Sequence, residues 1–354
     1  MKSVFLLLFG AGLLGAQLDA PKTVTGEAGK PIDGLSAEEE ASFAVGRKLF
    51  TKTWSAQGKA FFNSSACLNC HSEPNFGGFS SSPFNHVFFV EDKSNPSGMN
   101  TFSWLEQSNG RVVGQRLPFG DFEVRKPQSL YGLGLLEAVP ESHLLSLADP
   151  SDKNKDGISG RALIVEGKVG RFGWKANVPS LLEFTKNAFK AELGLTIGKG
   201  TGSNLFTEDH VNSVTTMTRL LAPPRPKAIE EAGRAMFDKI GCAICHTPKL
   251  TTGDSDFPSL KNKVIEPYSD MLLHDVARGK PALTTSGPAN RREFRTPPLW
   301  GIGRIQGPYF HDGSTKTLEE AVDRHEGEAL SIRDKYRKLS ASEKNSLLGF
   351  LKGL

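Results

Sequence analysis

Cysteine is scarce in this 354-residue chain: there are four, and none lies near the N-terminus, which excludes a lipoprotein anchor. Long apolar runs are scarce too. One run, Val4 to about Ala16, follows Met1-Lys2-Ser3 and is too short to span a bilayer comfortably. No second stretch is long enough, so no stable membrane anchor is expected. Net charge is small, +4 from 43 Lys and Arg against 39 Asp and Glu, which argues against nucleic acid as a partner. Strand signals are sparse whereas helix signals recur, so the expected fold is mostly α with long loops. What remains is an ordinary globular composition, 38% hydrophobic and 23% charged, and a length for which two domains are the natural division.

All four cysteines fall in two copies of one pattern, Cys67-Leu68-Asn69-Cys70-His71 and Cys242-Ala243-Ile244-Cys245-His246. C-x-x-C-H is the attachment motif of c-type haem. Two thiols a turn apart can each form a thioether with one haem vinyl group. The His that follows then lies under the ring, where it can ligate the iron. A shared zinc site would leave the His after each pair unexplained, and a pair of redox C-x-x-C motifs is the other alternative. Two covalently bound haems are therefore expected. Haem attachment in bacterial c-type cytochromes is completed outside the cytoplasm. The single Lys2 before a short apolar run fits that requirement, as a signal peptide over residues 1–20, with a periplasmic mature protein.

The region from about 17 to 36 lacks periodicity and reads as an extended arm. Ser36-Ala37-Glu38-Glu39 then reads as an N-cap with acids in the first turn, opening a helix from Glu38 to Thr51. An internal repeat follows. Gly58-Lys59-Ala60-Phe61-Phe62 and Gly233-Arg234-Ala235-Met236-Phe237 each begin nine residues before a haem motif. This predicts a helix before each motif, with Phe62 and Phe237 against the haem edge. Arg125-Lys126-Pro127 and Arg295-Thr296-Pro297 begin a second repeat, 54 and 49 residues after the respective His. Arg125 and Arg295 can pair with haem propionates, and a Pro carbonyl can hold the imidazole N–H; surface salt bridges are the alternative. Between the motifs, Asp152, Asn154, Asp156 and Gly157 open an EF-hand-like calcium loop. Leu163 stands where the twelfth-position Glu belongs, so Glu166 or a neighbouring domain would have to complete the site. A polar loop with Asx turns is the alternative. An amphipathic segment runs from Ser180 to Leu193, and Ser340 caps a last helix. Ala222-Pro223-Pro224-Arg225-Pro226 cannot sit inside a helix. It divides an N-terminal haem domain with inserted loops, 21–222, from a C-terminal cytochrome c-like haem domain, 223–354.

Several runs together carry a family resemblance. They are Gly170-Arg171-Phe172-Gly173-Trp174-Lys175-Ala176, Tyr268 to Asp275, Pro308-Tyr309-Phe310-His311-Asp312-Gly313 and Thr317-Leu318-Glu319-Glu320-Ala321-Val322. Through them the chain resembles the di-haem oxidoreductases, labelled peroxidases or thiol oxidoreductases and related to bacterial di-haem cytochrome c peroxidases. The resemblance implies that the sixth ligand of the C-terminal haem follows the Thr-Leu-Glu-x-Ala-Val run. That ligand is commonly Met in those peroxidases, and here the place is taken by His325. Bis-His ligation gives a lower potential than His/Met. Met271 and His274 are the alternatives. For the N-terminal haem it implies a His some way past His71, with His86 the first candidate and His143 the second; an iron left open for peroxide also stands. Glu137 can serve as distal acid/base or be a helix-end carboxylate. Trp174 can relay an electron between haems or simply pack. The implied function is reduction of hydrogen peroxide with electrons from a small periplasmic redox protein. A non-enzymatic electron-transfer cytochrome and an oxidase of an organic or protein substrate are the alternatives.

Overall fold

The first helix is set by its cap. The Ser36 hydroxyl accepts the Glu39 N–H at 3.1 Å, and the Glu39 carboxylate accepts the Ser36 N–H at 2.8 Å. This reciprocal box satisfies two orphan donors, and Glu38, Glu39 and Glu40 face the positive end of the dipole. The result is α1 (Ala37–Thr51). The computed structural model describes residues 24, 26–55, 61–82, 87–91, 99–102, 105–108, 111–115, 122–202, 205–276, 289 and 292–354. Among them follow α2 (Leu133–Glu137), α3 (Glu141–Leu147), α4 (Leu181–Glu192), α5 (Glu208–Leu220), α6 (Glu231–Ile240), α7 (Leu318–Asp323), α8 (Leu330–Arg337) and α9 (Ala341–Gly353). Ser340 with Glu343 boxes α9, as the sequence predicts, and Ser180 caps α4 at the start of the expected amphipathic segment. The signal-peptide region 1–20 lies outside the described residues.

Two helix crossings organise the packing: α1 lies on α5, and α6 lies on α9. Each contact is made at a glycine. A Cβ at Gly46 would lie 2.2 Å from the Ser213 carbonyl oxygen, and one at Gly233 would lie 2.0 Å from the Ser346 carbonyl oxygen. Four residues beyond each glycine, Phe50 and Phe237 enter two separate cores. The first gathers Phe43, Phe50, Leu135, Leu136, Val214 and Met217. The second gathers Phe237, Ile240, Tyr268, Tyr336, Leu347 and Phe350.

The chain is mostly helical, but small sheets lie where strand signals had seemed too sparse. Val87–Glu91 pairs antiparallel with both Met99–Phe102 and Phe122–Arg125, and Leu105–Ser108 pairs with Arg111–Gln115. Val87, Phe88, Phe89 and Val90, like Val112 and Val113, are residue types that suit a pleated surface. Phe61–Phe62 joins the second of these sheets at Leu105–Glu106. This corrects the helix expected there; Gly58 to Ala60 lie outside the described residues. The described part of the N-terminal arm runs along the break at 223–226, with Gly26 N donating to Pro223 O at 3.1 Å and Ile32 N to Leu220 O at 2.9 Å. Leu250, Leu260, Ile265, Met271 and Trp300 belong to the first core, so that break divides the chain more sharply than it divides the packing.

Candidate functional site

Both C-x-x-C-H motifs fold into the same tight turn. Cys67–Asn69 and Cys242–Ile244 are single 3-10 turns. They place the His71 N–H on Cys67 O at 3.1 Å and the His246 N–H on Cys242 O at 3.0 Å. Gly241, at φ 103°, ends α6 and starts the second turn. The four thiols are not in disulfides. Burial pushes the thiols of Cys67, Cys70 and Cys242 up to about 12, which is the opposite of the thiolate that zinc binding or redox exchange uses.

Three imidazoles share one arrangement. His71 Nδ1 lies 2.9 Å from Gly78 O, His246 Nδ1 2.9 Å from Tyr268 O, and His325 Nδ1 2.8 Å from Ala321 O. A carbonyl only accepts, so Nδ1 carries the hydrogen and Nε2 keeps its lone pair. This is how proteins orient a histidine that ligates metal. The anchoring carbonyls belong to Gly78 and Tyr268 rather than to the expected prolines. Burial lowers the pKa of all three rings, that of His246 to about 4, so they stay neutral at ordinary pH.

His246 and His325 open on the same cavity of about 270 Å³, together with Cys242, Cys245, Phe237 and Trp300. His325 follows the end of α7, which the Thr317–Glu320 box launches. Both alternatives to His325 are engaged elsewhere in this arrangement. The Met271 sulfur meets an Arg295 guanidinium nitrogen at 3.5 Å, and both His274 nitrogens face carboxylates. Two of the buried cations that line the cavity, Lys126 and Arg295, donate to neutral oxygens. Lys126 Nζ donates to Pro308 O at 2.6 Å. Arg295 donates to Gly173 O at 3.1 Å, Thr296 O at 3.1 Å and Gln128 Oε1 at 3.1 Å. All these oxygens are neutral, and buried positive charge calls for buried negative charge. A haem fits this set: its propionates supply the anions, and the apolar wall suits its ring.

The other sequence candidates scatter. Arg125 is buried against Glu123, whereas Glu293, at the same offset from Arg295, bonds Arg161 at 2.5 Å. Trp174 lines the cavity, donates to Lys126 O at 2.8 Å and stands 6.2 Å from the His311 ring. Glu137 holds Arg219 at 2.6 Å and the Leu181 N–H at 2.8 Å. His143 lies on α3, and His86 lies outside the described residues. In the candidate calcium loop the side chains serve the loop itself: Asp152 accepts the Gly157 N–H, Asn154 the Asp156 N–H and Asp156 the Ile158 N–H.

The sequence search missed Phe50. Its ring lies 6.2 Å from that of His71 at 51°, and the Phe237 ring lies 6.3 Å from that of His246 at 56°. The matching signal is Gly46-Arg47-x-x-Phe50 against Gly233-Arg234-x-x-Phe237. Phe50 thus stands where Phe62 was expected.

Paired attachment turns and carbonyl-anchored imidazoles are features of c-type haem proteins. The family described as "Di-haem oxidoreductase, putative peroxidase" matches residues 118–215 and 198–354, and the chain belongs to it. Over 134 residues the chain is 36% identical to the methylamine utilization protein MauG of Methylorubrum extorquens, covering 34% of this chain and 33% of that protein. Over 125 residues it is 32% identical to the cytochrome c551 peroxidase of Nitrosomonas europaea, covering 35% and 34%. The matched stretches thus span about a third of each relative. The fold overlays on hydrazine synthase from Kuenenia stuttgartiensis with a TM-score of 0.49 and 15% identity, covering 100% and 99% of the two chains.

Proposed function

We propose that this chain is an exported, periplasmic di-haem oxidoreductase with two cytochrome c-like units, 21–222 and 223–354. It would reduce hydrogen peroxide with electrons from a small redox protein. Haem, when attached, supplies an iron that stores an electron or cleaves an O–O bond. Cys67 and Cys70 would hold one haem with His71 as ligand, and Cys242 and Cys245 the other with His246. The observation that carries the division of labour is that His246 and His325 share one cavity, each with Nδ1 tied to a carbonyl. His325 closes the C-terminal site, which leaves substrate chemistry to the His71 site, unless His86 closes that one too. Lys126 and Arg295 would hold propionates, while Arg125 pairs with Glu123. Trp174 stands at the cavity wall as the candidate relay. For Glu137 to move a proton it must first release Arg219 and the Leu181 N–H.

Spectra of the oxidised and half-reduced protein, with and without peroxide, test this. One high-spin haem that changes on adding peroxide supports the enzyme. Two low-spin haems, unchanged by peroxide in every redox state, would make the chain an electron-transfer cytochrome. Calcium at Asp152, Asn154 and Asp156 is part of the proposal. Titration after chelation should raise the melting temperature through binding to the folded state, and no shift at millimolar calcium removes the metal from the account.

A further inference from the structure

Among the described residues, one group of three metal-type side chains comes together: Cys245, Asp270 and His274, with ligand atoms within 4.8 Å of one another. The bonding is not that of a metal site. Once Cys245 carries a thioether it has no thiolate to offer. His274 has no lone pair to spare either, with Nε2 2.8 Å from Asp270 Oδ2 and Nδ1 2.9 Å from Glu328 Oε2. Both carboxylates accept further bonds, which favours their ionised, acceptor-only form. Asp270 Oδ1 accepts the Leu272 N–H at 2.9 Å. Glu328 accepts the Ser159 N–H and hydroxyl at 3.0 Å each and the Asp275 N–H at 3.2 Å. A ring that donates from both nitrogens is an imidazolium. Burial opposes that charge, and the bonds to Asp270 and Glu328, joined by Cys245 only while it is a free thiol, outweigh it, so the His274 pKa is raised. The ring is almost fully buried, lines the cavity and places Nδ1 3.6 Å from Cys245 Sγ.

We infer that His274 is a positioning residue of the C-terminal site. It is a fixed positive charge, clamped between Asp270 and Glu328, that presses on the attachment sulfur of Cys245 and sets the reduction potential of the haem held there. The inference rests on haem attachment at Cys242 and Cys245. A buried charge acts strongly on its neighbours in a low-dielectric interior, and a cation favours the added electron. His274 is the single cation of a trio with two anions. Removing it alone leaves the anions uncompensated and lowers the potential. Neutralising one anion raises it.

The test is a spectropotentiometric titration of H274Q and E328Q beside the parent, with haem counted by the pyridine haemochrome assay. H274Q should lower the potential of one haem, E328Q should raise that of the same haem, and the other haem should stay at the parent value. A purely structural His274 would move the melting temperature of both variants without opposite shifts in potential. Should H274Q not fold, E328Q decides, because it keeps the shape of Glu328. Unchanged potentials, or shifts of the same sign, overturn the inference while leaving the two-haem reading intact. A parent that carries no haem at Cys242 and Cys245, seen in the mass of the peptide that bears them, overturns both.

Discussion

At the scale of single residues, one hydrogen bond decides what each histidine can do. His71, His246 and His325 give Nδ1 to a carbonyl and keep Nε2; His274 gives up both nitrogens. Sequence position alone left His325, Met271 and His274 as rivals, because hydrogen-bond partners on other segments are not legible in a linear motif. His325→Met should raise the potential of one haem, since a thioether ligand favours the ferrous state, and His325→Gly should turn one low-spin haem high-spin. Unchanged spectra and potentials in both would remove His325 from the iron. His311 is a different case. It stacks on Phe294 at 3.8 Å. Burial first, then Arg125 and Lys175 against the opposing Asp312 and Glu123, bring its pKa down to about 4. The folded pKa lies below the unfolded value of about 6.5, so its contribution to stability is present above that value and is lost as pH falls toward 4. The melting temperature should therefore fall over this range, and fall less in His311→Phe. Equal slopes would show that His311 is not among the groups responsible.

At the scale of elements, capping chemistry was the most legible part of the sequence. Ser36 and Ser340 start helices within a residue of the expected places, because a cap depends on three or four adjacent residues. The repeat was read in the wrong register for the first copy. Phe50 precedes His71 by 21 residues and Phe237 precedes His246 by nine, so the first copy carries extra chain between helix and motif. Part of that chain, Phe61–Phe62, became a strand. An equal offset of nine residues therefore joined segments that fold differently. What the two copies keep is the glycine at the helix crossing, and this is testable. Gly233→Ala would drive a methyl into the Ser346 carbonyl, which is backbone and cannot swing aside. We expect a loss of about 1–3 kcal/mol, measured by denaturant unfolding, and a similar loss for Gly46→Ala at Ser213. Full stability in either variant would mean that the helices part without cost.

At the scale of the whole molecule, the two attachment motifs are tied to different cores, and this makes haem loading separable. Cys67 packs against the core of Phe50 and Met217, and Cys242 against the core of Phe237 and Phe350. The chain matured in the periplasm should therefore carry two haem additions by mass spectrometry. Replacing Cys242 and Cys245 by Ala should remove one addition and leave the other. The consequences for stability should be local as well. Without a haem, the cavity lined by His246 and His325 keeps two buried cations, Lys126 and Arg295, with only neutral acceptors, and that is costly in a protein interior. Its apolar wall, with Phe237, Leu318, Leu347 and Leu351, would be left to water. The α6 and α9 crossing should then open at lower denaturant than the α1 and α5 crossing, and hydrogen exchange resolves the two. In the Cys67→Ala, Cys70→Ala variant the order should reverse. Loss of both haems from either double variant, or uniform loss of protection across the chain, would mean that the two units load and fold as one.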